Sequence, residues 1–353
     1  MSADQIVEIE GKQLKLTNLD KVFYPSVGFT KGQVIDYYAR IAPVLVPHLK
    51  NKPLTLKRYP NGVNEPPFFE KNATKHRPDW VKTVPIWSEG NQRDVNYILC
   101  NDLPTLVWVA NLGAIELHPS LSFGQDIMCP RSMVFDLDPG PPANIIQCCQ
   151  VAVWLRAIFE HFSLESFPKT SGSKGLQIYV PLNTKTSYDE TKPFAHALAR
   201  LLENEHRDRV VSDMKKAIRT NKVFVDWSQN DEHKTTVSVY ALRARERPTV
   251  STPVSWDEVE RALKKKDPKF LVFESHQTLE RVDKMGDLFA PLLSLKQKLP
   301  KLPGIEEGKA EAVATGLQMA AQAQNDGRKR SSTAKKKPQT GNRSSREKLR
   351  KRI

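Results

Sequence analysis

The run Met133-Val134-Phe135-Asp136-Leu137-Asp138-Pro139-Gly140 constrains this chain more than any other stretch. Val134, Phe135 and Leu137 read as a buried strand, and Pro139-Gly140 closes it with a turn. Residues two apart on a strand point to the same face, so Asp136 and Asp138 set two carboxylates side by side. Carboxylates that close repel each other, and burying either one unpaired is costly. A divalent cation answers both objections. The other reading is a strand end whose second acid opens an Asp-Pro-Gly turn; it accounts for Asp138 and leaves Asp136 unexplained.

The 353 residues, 39% hydrophobic with six Trp and fourteen Phe, suffice for a large buried core in one domain or two. No apolar run approaches transmembrane length, and Met1 to Gly11 has no apolar core of a signal peptide. Cys100, Cys129, Cys148 and Cys149 form no CxxC pair, which argues against zinc and fits a reducing cytoplasm. The net charge of +14 is unevenly placed. Residues 326–353 hold twelve Lys or Arg against two acids, leaving 42 bases and 38 acids in the rest. The end of the chain is thus an electrostatic arm for a polyanion or a solubilising segment. Any nucleic-acid site in the body must rest on local groupings.

Along the chain, Val7-Glu8-Ile9 and Leu14-Lys15-Leu16 alternate about Gly11-Lys12 as a hairpin, and 18–25 reads as a loop. Thr30 caps a helix running to Ile41, with Pro43 as its stop. Strands follow at 54–59 and 115–118, the second preceded by a helix that Asp102 and Pro104 open. A helix runs from Ile145 to about His161, another from a capping box at Ser187 to Glu205, and a third from Ser255 into Lys265. Further strands are predicted at 176–180, 223–227 and 237–242. Strands and helices mix without a regular βαβ rhythm, which predicts an α+β fold with mostly antiparallel or mixed sheets flanked by helices. The expected organisation is one domain over 1–300, a linker or helix within 301–324, and a disordered basic tail over 325–353.

Asp226 ends the apolar strand Val223-Phe224-Val225-Asp226-Trp227. Three carboxylates from two strands can hold two divalent ions for phosphoryl transfer, although an exposed strand-end acid reads equally well for Asp226 alone. Thr170-Ser171-Gly172-Ser173-Lys174-Gly175 is a tight turn into a strand, with backbone N–H, hydroxyl and Lys donors suited to phosphate. It lacks the P-loop spacing, so by itself it reads as a hairpin turn. Gln177 and Tyr179 share the strand face opposite Leu176, Ile178 and Val180. Arg243 and Arg245 repeat the two-apart geometry and can reach one triphosphate; a solvated strand edge is the alternative. Phe68-Phe69 lie in a loop-like context where they can stack on bases, although such pairs more usually anchor a core.

Together these segments resemble the polymerase domain of bacterial ATP-dependent DNA ligase D, within the archaeo-eukaryotic primase superfamily. The resemblance is carried by Leu-Thr-Asn-Leu-Asp-Lys-Val-Phe-Tyr-Pro (16–25), Lys-Arg-Tyr-Pro-Asn-Gly (57–62), Pro-Phe-Phe-Glu-Lys (67–71), Val-Phe-Asp-Leu-Asp-Pro-Gly (134–140), Thr-Ser-Gly-Ser-Lys-Gly-Leu (170–176) and Val-Phe-Val-Asp-Trp-Ser-Gln-Asn (223–230). Lys-Thr-Thr (234–236), Tyr-Ala-Leu-Arg-Ala-Arg (240–245) and Pro-Thr-Val (248–250) extend it, so that it covers roughly residues 6–295 in order.

The resemblance implies a primase-like core and a template-directed, metal-dependent nucleotidyl transferase that prefers ribonucleotides, fills gaps and extends ends in non-homologous end joining. It implies Asp136, Asp138 and Asp226 as ligands of two divalent cations, Mn2+ or Mg2+. It implies nucleotide contacts from His118, Ser171, Lys174, Gln177, Arg243 and Arg245, with Arg219 and Gln229 near the nucleotide or primer. Asn18, Lys21 and Lys31 match a pocket for a downstream 5′-phosphate, and Phe68 and Phe69 match template-stacking aromatics. Gln177 departs from the family pattern, which places a His there; an amide still donates a hydrogen bond but carries no charge. DNA with gapped or broken 5′-phosphorylated ends, NTP or dNTP, Ku and a separate DNA ligase are the expected partners, in a bacterial cytoplasm at the nucleoid and not at a membrane. A primase-polymerase of other repair or replication settings, or a non-catalytic module that aligns broken ends, are the alternatives.

Overall fold

A computed structural model describes residues 4–300. The expected linker over 301–324 and basic tail over 325–353 lie outside the described residues. The chain opens with the antiparallel hairpin β1 (Gln5–Ile9) and β2 (Lys12–Leu16). The stretch read as a loop over 18–25 contains a short strand, β3 (Val22–Tyr24), paired with β4 (Phe29–Thr30). Helix α1 (Lys31–Leu49) begins at the expected cap: the Thr30 hydroxyl accepts from Gln33 N at 3.3 Å and Gln33 accepts from Thr30 N at 2.8 Å. It does not stop at Pro43, but runs through Pro43 and Pro47 to Leu49. Each proline removes one helical donor and crowds the turn before it. Leu45 and Leu49, both wholly buried in the core beyond Pro43, offset that loss.

The first five-stranded sheet is built from β5 (Pro53–Arg58), β6 (Phe68–Glu70), β7 (Thr83–Ser88), β8 (Arg93–Leu99) and, after helix α2 (Leu103–Asn111), β9 (Ala114–Pro119). Its order is β6-β5-β8-β7, with β9 on the other edge of β5. Asp102 caps α2 by accepting from Thr105 N at 2.9 Å. The small hairpin β10 (Ser122–Phe123) and β11 (Asp126–Pro130) leads into the second sheet. That sheet comprises β12 (Ser132–Pro139), β13 (Phe167–Thr170), β14 (Leu176–Pro181), β15 (Val210–Val211) and β16 (Val223–Asp226), in the order β13-β14-β12-β16-β15. Its pairs are antiparallel except β15 with β16. Helices α3 (Ile145–His161) and α4 (Tyr188–Glu205) interrupt it in sequence, and α5 (Trp256–Lys265), α6 (Ser275–Met285) and α7 (Pro291–Ser294) follow. The expected α+β architecture is present. No helix among the described residues is long and apolar enough to cross a membrane.

The two faces of the second sheet differ because strand alternation sorts their residues. Met133, Phe135 and Leu137 of β12, Leu176, Ile178 and Val180 of β14, and Val223 and Val225 of β16 pack with α3, α4 and α5 in one core. The opposite face carries Val134 and Tyr179, which join the core shared with α1 and the first sheet. Asp136 is on that same face, so the acids look into the space between the sheets rather than under the helices.

Strand β16 pairs with β12 only from Asp136 onward. Upstream, the side chain of Asn230 does the work of a strand. It accepts from Val134 N at 2.8 Å, and its amide donates to Val134 O and Trp227 O, each at 2.8 Å. Asn230 is wholly buried, so removing it leaves the Val134 backbone unpaired in a dry place. We expect Asn230→Ala to cost about 2–5 kcal/mol in urea unfolding, since each orphaned group costs about 1–3 kcal/mol. A loss no larger than that of a surface substitution would mean that water takes over both bonds.

Candidate active site

The register of the second sheet lays four polar residues in one row. Lys169 of β13 pairs with Gln177 of β14, Gln177 with Asp136 of β12, and Asp136 with Asp226 of β16. Asp138 stands two residues on, opposite Phe224. Asp136 Oδ1 is closed off from solvent and has no hydrogen-bond partner, and Gln177 Oε1 is in the same position. Burial, and after it repulsion from Asp138, pushes the Asp136 carboxyl up to about 7, with Gln177 and Lys169 pulling the other way. Asp138 is also raised, by burial of its carboxyl first and then by Asp226.

An orphaned carboxylate oxygen beside two further acids is a set of hard donors short of a cation, and it fits a divalent metal ion. Asp226 is turned toward its own turn: Oδ1 accepts from Ser228 N at 3.0 Å and Ser228 Oγ at 2.6 Å, and Oδ2 accepts from Gln229 at 2.7 Å. Accordingly, among the described residues no three His, Cys, Asp or Glu side chains already form a closed ligand set. Lys234 donates to Ser228 Oγ at 2.5 Å, which places another charge behind Asp226.

Gly-rich residues 171–175 form the turn of the β13–β14 hairpin, as their spacing suggested. The Ser171 hydroxyl accepts from Ser173 N at 3.2 Å and Gly175 N at 3.1 Å, and Ser171 N donates to Gly175 O at 2.9 Å. A Cβ on Gly175 would lie 2.2 Å from Leu137 O, so only glycine brings the turn against the Asp136 strand. Lys174 is exposed, with no ion pair to an acid among the described residues. Arg243 donates to Ser171 O, Arg245 to Ser173 Oγ, and Thr249 Oγ1 to Gly172 O at 2.6 Å. Both arginines thus reach the turn, but not from a strand.

The strand predicted over 237–242 is absent. Ser238 N still reaches Leu117 O at 2.8 Å, but Tyr240 takes a left-handed φ of 63°, and only a bridge from Leu242 to Val250 remains. Main-chain bonds from Tyr240 N to Ser251 O at 2.7 Å and from Arg243 N to Thr249 O at 2.8 Å pair part of this backbone, and buried tyrosines satisfy more of it. Tyr37 donates to Tyr240 O at 2.8 Å, Tyr24 to Arg243 O at 3.0 Å, and Tyr38 accepts from Leu242 N at 3.1 Å.

On the first sheet, Lys57 pairs across the ladder with both Phe69 and Glu116. Phe68 and Phe69 are 44% and 61% exposed, which rules out a core-anchoring role for them. Arg58 lies over the Phe68 ring at 5.0 Å, Lys57 over Phe69 at 5.5 Å, and Phe69 meets His118 edge-on at 6.1 Å. Arg219 lies over Phe224 at 3.6 Å, lowers Asp138 by its charge and donates to Met214 O at 2.5 Å.

Apart from these, Lys21 and Lys31 meet at the start of α1. Lys31 donates to Thr17 O at 2.6 Å and Lys21 to Asn61 at 2.7 Å, while exposed Asn18 turns the chain at φ 54° and its carbonyl accepts from Lys21 N at 3.0 Å. Burial first, and then the Lys21 charge, lowers Lys31 to about 8. Two lysines this close suit an anion.

Residue-by-residue reading of the sequence missed Glu116. It is 3% exposed and lies within 3.2 Å of Arg243 Nε, 3.0 Å of His118 Nε2 and 3.8 Å of Lys57. The signal was there: Glu116 and His118 are two apart on a strand, the same rule that singled out Asp136 and Asp138. Lys169 was also missed; wholly buried, it donates to Ser251 Oγ at 2.6 Å and Val237 O at 3.1 Å.

The family model of the LigD primase-polymerase domain matches residues 30–289. The multifunctional non-homologous end joining protein LigD of Mycolicibacterium smegmatis is 41% identical over 283 residues, 80% of this chain and 36% of that protein. The bifunctional LigD of Bacillus subtilis is 31% identical over 275 residues, 78% of this chain and 43% of that one. The chain therefore spans less than half the length of these relatives. A solved structure of the polymerase domain from Mycobacterium tuberculosis ligase D in complex with DNA is similar with a TM-score of 0.74 and 35% identity, over 80% of this chain and 99% of that one.

Gly172 tests the coupling of turn and arginines. It has φ +67°, and a Cβ there would meet Val250 C at 2.6 Å and Arg243 Cγ at 2.7 Å. Gly172→Ala should displace Arg243 from the turn and, on the expectation that this arginine holds nucleotide phosphate, lower nucleotide affinity about tenfold or more, the worth of one charge-assisted hydrogen bond. Unchanged affinity in a nucleotide titration would show that Arg243 does not depend on the turn.

Proposed function

The chain belongs to the LigD primase-polymerase family, and we propose that it is a template-directed nucleotidyl transferase that fills gaps and extends ends at DNA breaks. One observation carries this reading: the unpartnered Asp136 oxygen, beside Asp138 and Asp226, belongs to the strand against which a glycine turn clamped by two arginines is packed. Such a neighbourhood of acids and cations matches the needs of phosphoryl transfer, where one group of residues binds metal and another binds the triphosphate. Asp136, Asp138 and Asp226 would hold divalent cations, magnesium or manganese, which when bound neutralise charge on the reacting phosphate oxygens.

In this reading the chain's own residues bind and orient. Ser171 and the backbone N–H groups of the turn, with Lys174, Arg243 and Arg245, receive the phosphates of NTP or dNTP. Gln229, released from Asp226, and Arg219 beside Asp138 contact the nucleotide or the primer end. Gln177, next to Asp136, orients that carboxylate and donates toward the triphosphate without adding charge. His118, Phe69 and Phe68 form the wall on which template and incoming base stack. Ribonucleotide preference, Ku and a DNA ligase that seals the product complete the end-joining picture.

The Lys21–Lys31 pair favours this setting over a primase-polymerase of other repair or replication, which has less need of a downstream end. The acids weigh against a non-catalytic synapsis module, because keeping Asp136 Oδ1 closed off from solvent without a partner serves no alignment role.

The test is extension of a gapped primer-template. Asp136→Ala should abolish nucleotide addition, at least about a thousandfold, while leaving DNA affinity within about threefold, because the acid binds metal rather than DNA. Robust extension by this variant in manganese would overturn the metal-site reading.

A second measurement addresses the lysine pair. A 5′-phosphorylated gap should bind more tightly than a 5′-hydroxyl gap, by about tenfold for one charge-assisted contact. Because the free Lys31 ammonium loses its proton near pH 8, this preference should fade above that pH and vanish in the Lys21→Ala/Lys31→Ala double variant. Equal affinity for the two ends at pH 7 would remove the pocket from the proposal.

A further inference from the structure

Four nitrogens surround the Glu116 carboxylate, two of them in hydrogen bonds and two in ion pairs. Oε1 accepts from Ala244 N at 3.1 Å and lies 3.2 Å from Arg243 Nε; Oε2 lies 3.0 Å from His118 Nε2 and 3.8 Å from Lys57. Burial alone would raise the Glu116 carboxyl, but the His118 bond and the Arg243 charge outweigh it and hold the acid well below the usual range. An ionised carboxylate can only accept, so the ring nitrogen 3.0 Å away must carry the hydrogen. Burial lowers His118 from its ordinary value, so near neutral pH the ring is uncharged and has one N–H to place.

We propose that Glu116 is a positioning residue: it fixes His118 as the Nε2–H tautomer, leaving Nδ1 an acceptor, and holds Arg243 through an ion pair so that the far side of the guanidinium serves the glycine turn. The two sheets' contributions to the site thus meet on one buried acid. His118 comes from β9, which pairs with β5, and Arg243 comes from the segment clamped to the β13–β14 turn. Lys57 adds the aromatic wall to the same hub, since it also lies over Phe69.

Glu116→Gln distinguishes this from a packing role because it keeps the shape and changes the donors. The amide oxygen is claimed by Ala244 N, so the NH2 group faces His118 Nε2 and requires its lone pair. The ring then inverts to the Nδ1–H tautomer. The consequence for turnover rests on the nucleotidyl-transfer reading, but the tautomer does not.

The experiment uses the full chain labelled with 15N-histidine, and long-range proton–nitrogen correlation at pH 7.5 with the His118 signals assigned by their loss in His118→Gln. The unmodified protein should show His118 as Nε2–H, and Glu116→Gln should show Nδ1–H. In the extension assay the nucleotide KM of Glu116→Gln should rise about tenfold with little change in kcat, the loss of one charge-assisted contact. An Nδ1–H ring in the unmodified protein overturns the proposal, even if the variant fails to fold. An unchanged tautomer in a folded Glu116→Gln also overturns it, as does an inverted tautomer with an unchanged KM. Absence of extension by the unmodified protein would instead strike the polymerase reading and leave the tautomer result to decide this one.

Discussion

Repulsion among Asp136, Asp138 and Asp226 is the constraint that the surrounding structure answers. Strand register puts Asp136 and Asp226 directly opposite each other, and alternation puts Asp138 on the same face. In water such a trio would repel weakly; between two sheets, burial first and then this repulsion raise Asp136 to about 7. The neighbours relieve part of this. Ser228 and Gln229 donate to Asp226, Arg219 draws down Asp138, and Lys169 lowers Asp136 by its charge from two strands away. What remains unpaired is one oxygen of Asp136, at the place where a cation has most to offer.

The phosphate-binding side is organised by a second, separate problem: an irregular segment has to be buried. Residues 237–245 carry Arg243 and Arg245 through the core without a ladder, so their backbone groups need other partners. Leu117, Thr249 and Ser251 supply some through their backbone, and Tyr24, Tyr37, Tyr38 and Glu116 supply others. Freed from strand geometry, the arginines can bend over the glycine turn and hold its carbonyl and hydroxyl groups. The segment's lack of regular structure is therefore what lets two sheets share one site.

Several parts of this arrangement were legible in the residues. The caps at Thr30, Asp102, Ser187 and Ser255 each open a helix, because a hydroxyl or carboxylate before an amphipathic run has a local partner three residues on. The Asp136 strand, the glycine hairpin and the Asp226 strand are also where alternation and turn chemistry put them. The misses share a cause. Pro43 looked like a stop because local chemistry disfavours it, and burial of Leu45 and Leu49 overrode that preference. Residues 237–242 looked like a strand because they alternate, yet Val237, Val239, Tyr240, Ala241 and Leu242 are all buried, on every side of the chain.

The sequence by itself determined which side chains could share a face: Asp136 with Asp138, Gln177 with Tyr179, and Glu116 with His118. That follows from the two-residue period of a strand, a property of the backbone that needs no partner. Only the tertiary structure decided which faces meet. Pairing Asp136 with Asp226 and Gln177, and drawing Arg243 and Lys57 onto Glu116, join residues distant in sequence. Register between strands and the packing of two sheets are set by the fit of whole cores, and no local pattern in the chain encodes that fit.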